Sequence, residues 1–143
     1  MLLFAQAGTI QFTGAADAIA QKMAHFATNS VPVLTGAILW VAAIGSSALD
    51  NVVLIASVIP VVQGFKEIGI GIQPLWWALL FGGCLGGNIT LVGSTANIVA
   101  LGLLEKEQNI HITFLSWFRV GIIVGVVTTI IAWIALLVFP FYR

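Results

Sequence analysis

The stretch GGCLGGNITLVGSTAN, from Gly82 to Asn97, decides the fold of this chain. Its neighbours are strongly apolar, yet glycine is unfavourable within a helix, and Ser, Thr and Asn side chains compete for backbone hydrogen bonds. The surrounding charge-free stretch, 68–104, would be roughly 55 Å long as one helix, against about 30 Å of membrane hydrocarbon. The pattern therefore predicts a transmembrane helix over residues 74–104 that breaks in mid-membrane, where protein or a water-filled cavity must satisfy the free backbone groups.

The overall composition is that of an integral membrane protein. The 143 residues are 60% apolar and only 7% charged, with five acidic and five basic residues, whereas a soluble domain carries about 25% charged residues. A soluble enzyme, a nucleic-acid binder and a disordered segment are all but excluded. The single cysteine, Cys84, rules out a disulfide framework and a thiolate metal cluster. The sequence contains no HExxH, G-x-S-x-G or P-loop motif, so we expect no enzyme activity, no catalytic residues, no resident metal or cofactor and no nucleic-acid partner.

The rest of the chain predicts a single all-α membrane domain over residues 1–143. In residues 32–64 two apolar arms flank SSALDN, Ser46 to Asn51. Each arm would be roughly 20 Å of helix, which is too short to cross a membrane, so the arms predict a re-entrant helical hairpin. Residues 117–140 predict one full C-terminal transmembrane helix, and residues 105–116 an extramembrane loop. Residues 1–28 predict a truncated or interfacial helix.

Two polar clusters stand out in these apolar surroundings, one at the hairpin tip and one at the predicted helix break. Asp50 is the most informative member, because a carboxylate at bilayer depth costs several kcal/mol unless it is paired, protonated or hydrated. It predicts a proton or sodium site, although it could instead cap the helix that follows. The Asn residues could bind ligand or join helices by hydrogen bonds. The candidate ion- or substrate-binding residues are Ser46, Ser47, Asp50, Asn51, Asn88, Thr90, Gly93, Ser94, Thr95 and Asn97.

These stretches resemble a known family. The run from Trp76 to Lys106 is similar to the second broken helix of the ion transporter superfamily, in the branch of arsenite permeases, NhaD-type sodium–proton antiporters and P proteins. Bacterial members of this branch are called citrate-transporter-like permeases. The run from Ser46 to Val62 resembles the hairpin tip and returning arm of that branch. The resemblance implies that this chain corresponds to the C-terminal portion, with the hairpin, broken helix and last transmembrane helix of the second inverted repeat.

The chain departs from one related group at both clusters. The sodium–dicarboxylate symporters carry Ser-Asn-Thr where Asp50, Asn51 and Val52 stand here. They carry Gly-Thr-Pro-Pro-Asn where this chain has the run from Gly93 to Asn97. The acidic tip and the missing Thr and prolines argue against dicarboxylate transport. They favour a proton-linked or cation-linked carrier, or an arsenite-type permease.

The resemblance implies a secondary active transporter that moves a small ion or anion, with protons or sodium as coupling ions and no other cofactor. We expect it in the plasma membrane, embedded in the lipid bilayer. The matching N-terminal repeat would be missing or supplied by a separate chain, and the complete transporter would be a homodimer. The alternatives are a non-transporting membrane subunit or assembly module, an inactive gene fragment, and a pore formed by copies of this chain.

Overall fold

The computed structural model describes Lys22 and residues 30–67, 69–109 and 111–139. Within the range 30–139, the described residues form five helices and no strand, which confirms the all-α class. The predicted helix over residues 1–28 lies outside the described residues, apart from Lys22. The five helices are α1 (Val31–Ala48), α2 (Asn51–Glu67), α3 (Gln73–Gly86), α4 (Thr95–Gln108) and α5 (Phe114–Val138).

The helix ends follow local chemistry. Pro32 and Pro74 lie in the first turns of α1 and α3, where a missing backbone N–H is harmless and the fixed φ suits a helix. Asn109 follows α4 in the left-handed conformation, with φ at 52°. Thr113 precedes α5, and its hydroxyl oxygen accepts a hydrogen bond from the Ser116 backbone N–H at 3.3 Å, as expected of an N-cap.

The core lies mainly between α1 and α3, which form the most extensive helix pair in the described chain. Leu39 of α1 and Leu79 of α3 are almost fully buried. Val62 and Phe65 of α2 close one side of this core, and Leu136 of α5 joins it from another. These contacts place the tip between α1 and α2 next to the point where α3 ends.

Glycines let α1 and α3 approach unusually closely. A methyl group added at Gly82 would collide with the Leu39 carbonyl oxygen, and one added at Gly86 would collide with the backbone of Ala43. Gly121 of α5 has a similar role, because an added methyl would lie 2.5 Å from the Ile89 carbonyl oxygen. The small residues in these helices therefore bring backbone against backbone around the helix break.

The structure differs from the predicted hairpin in the length of its first arm. Helix α1 continues through Ser46 and Ser47 and has 18 residues, so it is long and apolar enough to cross a membrane by length and composition. Only Leu49 and Asp50 separate α1 from α2. The length of the arms therefore no longer distinguishes a re-entrant hairpin from spanning helices, and the re-entrant hairpin stays a prediction.

The second half of the described chain exposes much apolar surface. Helix α5 is also long and apolar enough to span, and large residues such as Ile123 and Ile131 are exposed along it. Helix α4 has no buried residue. Exposed apolar surface of this extent suits lipid or further protein. The connection between α4 and α5 is shorter than the loop predicted over residues 105–116. Helix α4 continues to Gln108, and α5 already begins at Phe114.

Candidate functional site

Asp50 connects the tip between α1 and α2 to the start of α4. One of its carboxylate oxygens, Oδ1, accepts a hydrogen bond from the Val52 backbone N–H at 3.1 Å, so Asp50 does cap α2. The other oxygen, Oδ2, accepts a hydrogen bond from the Thr95 hydroxyl at 2.7 Å. The two interpretations offered by the sequence, a capping residue and a site residue, are thus compatible in one side chain.

The two serines before the tip belong to the last turn of α1. Ser46 is fully buried, and its hydroxyl donates to the Gly83 carbonyl of α3 at 2.5 Å. The Ser47 hydroxyl donates to the Ile44 carbonyl of its own helix at 2.6 Å, while the Ser47 carbonyl accepts a hydrogen bond from the Thr90 hydroxyl. The serines therefore fasten α1 to the end of α3 and to the segment beyond it.

The break itself is the segment 87–94 between α3 and α4, and polar side chains hold it in place. The Thr90 hydroxyl, besides donating to α1, accepts a hydrogen bond from the Gly93 backbone N–H at 3.0 Å. From the first turn of α4, the Asn97 amide nitrogen donates to the carbonyls of Gly87 at 2.9 Å and Thr90 at 3.2 Å. Thr90 and Asn97 thus supply the backbone groups of the broken helix with partners inside the protein, as such a break in a membrane requires.

Backbone carbonyls converge around Gly93. A Cβ atom at this position would lie 2.6 Å from the Ser46 carbonyl oxygen and 2.8 Å from the Gly87 carbonyl oxygen. Gly93 is buried by this contact, so close packing explains a glycine that the sequence alone associated with a ligand site. These two carbonyl oxygens meet at Gly93, two residues before Thr95 in the sequence, and carbonyls at the ends of interrupted helices can coordinate a cation.

Among the described residues, three of the candidates form no side-chain hydrogen bond across the site. Asn51 is the first residue of α2 and is half-buried, and Ser94 precedes α4 without a side-chain capping bond. Asn88 is exposed and faces a cavity of about 410 Å³ together with Asn97 and residues of the start of α5. The hydrogen bond between helices that the sequence offered as one interpretation of Asn88 is not formed by its side chain among the described residues.

The structure adds groups that the sequence did not identify. The carbonyls of Gly83 and Gly87 are the acceptors for Ser46 and Asn97. The two glycine doublets in GGCLGG mark this region in the sequence, but glycine carries no side chain that indicates a hydrogen-bond acceptor. Ser116 and Trp117 line the cavity beside Asn88, and nothing in the sequence connected α5 with the break.

Charge is sparse around this site. Among the described residues, the one contact within salt-bridge distance joins the His111 imidazole to the Glu105 carboxylate at 2.9 Å. It lies at the far end of α4, about 15 Å along the helix from Thr95. Asp50 is the one charged residue among the ten candidate residues.

An interrupted helix, a polar tip packed against the interruption and apolar outer helices are typical of integral membrane proteins of the transporter class. The chain belongs to the citrate transporter family, whose profile matches residues 1–82. This finding confirms the resemblance drawn from the sequence.

Related proteins agree with this assignment. The chain is 35% identical over 132 residues to the P protein of Homo sapiens, an alignment that covers 90% of this chain and 16% of that protein. It is 31% identical over 134 residues to an uncharacterized transporter of Mycobacterium bovis, covering 91% and 31% of the two chains. An uncharacterized transporter of Synechocystis is 30% identical over 151 residues, covering 92% and 33%. The chain thus spans a third or less of these curated relatives, and no solved structure matches it.

Proposed function

We propose that this chain supplies one half of the substrate and ion site of a secondary active transporter that moves a small ion or anion, coupled to protons or sodium. The observation that carries the proposal is the hydrogen bond from Thr95 to Asp50. It places a carboxylate at the meeting point of the tip and the broken helix. In transporters of this kind, discontinuous helices meet near the bilayer midplane and form the site.

The local chemistry supports both a coupling cation and an anionic substrate. Asp50 can hold a proton or a sodium ion, and the carbonyls of Ser46 and Gly87 near Gly93 offer neutral oxygen ligands. The N-terminal ends of α2 and α4 lie beside the same carboxylate, and helix N-termini favour negative charge. A loaded cation at Asp50 would remove the negative charge that otherwise repels an incoming anion.

The hydrogen bonds also support movement of the tip and the broken helix as one unit. Ser46 joins α1 to α3, Thr90 joins the broken segment to α1, and Thr95 joins α4 to the tip. Alternating access would then move this unit against a scaffold formed by the rest of the transporter. The plasma membrane as location, the matching N-terminal repeat as partner and a homodimeric assembly belong to the same proposal.

Uptake into proteoliposomes tests the proposal. Radiolabelled citrate is the first probe because of the family, followed by arsenite, and each is measured under an imposed proton or sodium gradient. The chain is reconstituted alone and together with a matching N-terminal repeat. We expect Asp50→Asn to abolish the pH dependence of uptake, while Glu107→Gln, at the exposed far end of α4, keeps it. An unchanged pH profile in Asp50→Asn would remove the proton-carrier role.

A second candidate is a membrane subunit or assembly module without transport of its own. It is favoured by the exposed apolar surface of α5, which suits further protein as well as lipid. This candidate predicts no uptake of either probe with or without the N-terminal repeat, together with stable co-purification of the two chains. An inactive fragment would instead fail to accumulate in the membrane.

A further inference from the structure

The start of α4 is held by side chains and not by a core. Helix α4 has no buried residue, yet its first residue, Thr95, is bonded to Asp50 across 45 positions of the sequence. Both side chains are accessible to solvent, so water could replace either partner. A direct bond between two accessible groups indicates that the surrounding backbone brings them together.

From this we infer that Thr95 is a positioning residue. Its hydroxyl holds the Asp50 carboxylate between the starts of α2 and α4 and so presents it to the coupling cation. The inference rests on the proposed function and assigns Thr95 a role that differs from direct contact with substrate. It also identifies which of the ten candidate residues controls the geometry of the acidic group.

Two hydrogen bonds orient the carboxylate, one on each oxygen. The Val52 N–H bonds Oδ1, and the Thr95 hydroxyl bonds Oδ2. The Thr95 backbone N–H adds a weaker interaction with the same carboxylate. The two oxygens have four lone pairs between them, so one stays available for a proton or a metal ion. Val52 belongs to the first turn of α2, next to Asp50 in the sequence, so Thr95 is the residue that relates the carboxylate to the broken helix.

A hydroxyl is well suited to this task because it can both donate and accept. It donates to the ionised carboxylate, and it can accept from the carboxylic acid after protonation or offer its oxygen to a bound cation. A Lys or Arg at this position could only donate and would compete with the cation for the carboxylate. Thr95 can therefore keep the tip and α4 connected in the empty and loaded states.

No described residue forms an ion pair with Asp50. Helix α1 carries no charged residue, and Lys66 lies at the end of α2 opposite the tip. Arg119 of α5 lies two residues before Gly121, which packs against the carbonyl oxygens of Asn88 and Ile89 in the break. The other titratable or charged groups on the packed elements are Cys84 of α3, Glu105, Lys106 and Glu107 of α4 and His111 after α4.

The test compares Thr95→Val, which keeps the shape but removes the hydroxyl, with Thr95→Ser, which keeps the hydroxyl. Thr128→Val is the matched control, because the Thr128 hydroxyl bonds the Val124 carbonyl of its own helix at 2.7 Å. The first readout is the sodium concentration for half-maximal citrate or arsenite uptake, or the proton concentration where sodium has no effect. It is measured together with the maximal rate.

The second readout is independent of transport. The chain has two aspartates, Asp17 and Asp50. Infrared spectra of protein labelled with carbon-13 aspartate therefore contain few carboxylate bands, and the band lost in Asp50→Asn identifies Asp50. The frequency of this band depends on the hydrogen bonds that the carboxylate accepts.

We expect Thr95→Val to shift the Asp50 band and to raise the half-maximal cation concentration about tenfold, the scale of one hydrogen bond to a charged group. The maximal rate should stay within about twofold, and Thr95→Ser and Thr128→Val should behave like the unmodified protein in both readouts. An unshifted band in Thr95→Val, or an equal loss in Thr95→Ser, would overturn the inference. If the unmodified protein transports neither probe, the proposed function fails, and the infrared band alone decides whether Thr95 positions Asp50.

Discussion

Replacing Gly86 by alanine should destabilise the protein through a contact made entirely by backbone atoms. Gly86 is the last residue of α3 and is buried against α1. An added methyl would lie 2.6 Å from the Ala43 carbonyl carbon, and closer still to the Ala43 oxygen and Cα. No rotation of a side chain can relieve this overlap, because the atoms concerned belong to the helix backbone.

The size of the effect follows from the distance. Non-bonded carbon atoms prefer separations of about 3.5 Å or more, so α3 must retreat from α1 by about 1 Å. A gap of this size forfeits a quarter to a half of the dispersion energy of the contacts it opens. Overpacked sites typically lose about 1–3 kcal/mol, and a clash with backbone belongs at the upper end. Alanine recovers at most about 1 kcal/mol of helix propensity, so we expect a net loss of about 2 kcal/mol.

Thermal unfolding in detergent, followed by circular dichroism, measures this loss. At about 2–4 °C per kcal/mol for a chain of this size, the midpoint of Gly86→Ala should fall by about 4–8 °C. The matched control is Gly102→Ala in α4, where nothing lies within 4 Å of the added methyl, and there the midpoint should stay or rise slightly. A Gly86→Ala midpoint equal to that of the unmodified protein would refute the close approach of α1 and α3.

Two further substitutions test the hydrogen bonds of the site. Ser46→Ala should lower the free energy of unfolding by about 1–2 kcal/mol because a buried bond to Gly83 is lost, whereas Ser57→Ala, whose bond to its own helix is only part-buried, should lose less than half as much. Equal losses in the two variants would contradict the cross-helix role of Ser46. Asn97→Ala should speed amide hydrogen exchange in the segment 87–94, because the carbonyls of Gly87 and Thr90 lose the hydrogen bonds that they accept from the Asn97 amide. Exchange in α5 should stay constant. Unchanged exchange in 87–94 would show that Asn97 does not hold the break.

The break in the helix could be predicted because its causes are local. Glycines and short polar residues disfavour a continuous helix wherever they cluster in an apolar run. In the structure α3 ends at Gly86 and α4 begins at Thr95, and both residues lie within the stretch from Gly82 to Asn97. The position of the break therefore follows from the local sequence and does not depend on the neighbouring helices.

The continuation of α1 through Ser46 and Ser47 could not be predicted in the same way. The sequence predicts a tip from Ser46 to Asn51 because these residues separate two apolar arms, and serine is a neutral or poor helix former on its own. In the structure the Ser46 hydroxyl is satisfied by a carbonyl of α3, 37 positions away in the sequence. The helix therefore continues because of a tertiary contact, and the periodicity of the sequence does not indicate that contact.

The pairing inside the site was only partly accessible from sequence. The sequence shows two polar clusters, and the structure brings them together by joining Asp50 to Thr95 and Ser47 to Thr90. Which residues pair depends on how closely α1 and α3 approach, and that distance is set by glycines such as Gly86 that carry no polar group. The sequence shows which polar residues are available, while backbone packing determines which of them form hydrogen bonds with each other.

A substitution that changes the distance between α1 and α3 also changes the hydrogen bonds of the candidate site. The approach of α1 to α3 at Gly86 brings Ser46 to Gly83, and the same approach brings Asp50 within reach of Thr95. Since α4 has no buried residue, its start relies on polar contacts that a ligand could also use. Loss of transport in a site variant would then have two possible physical origins, a missing ligand contact or a displaced helix. Hydroxyl-retaining substitutions separate them, because Thr95→Ser preserves the contact that holds α4 and Thr95→Val does not.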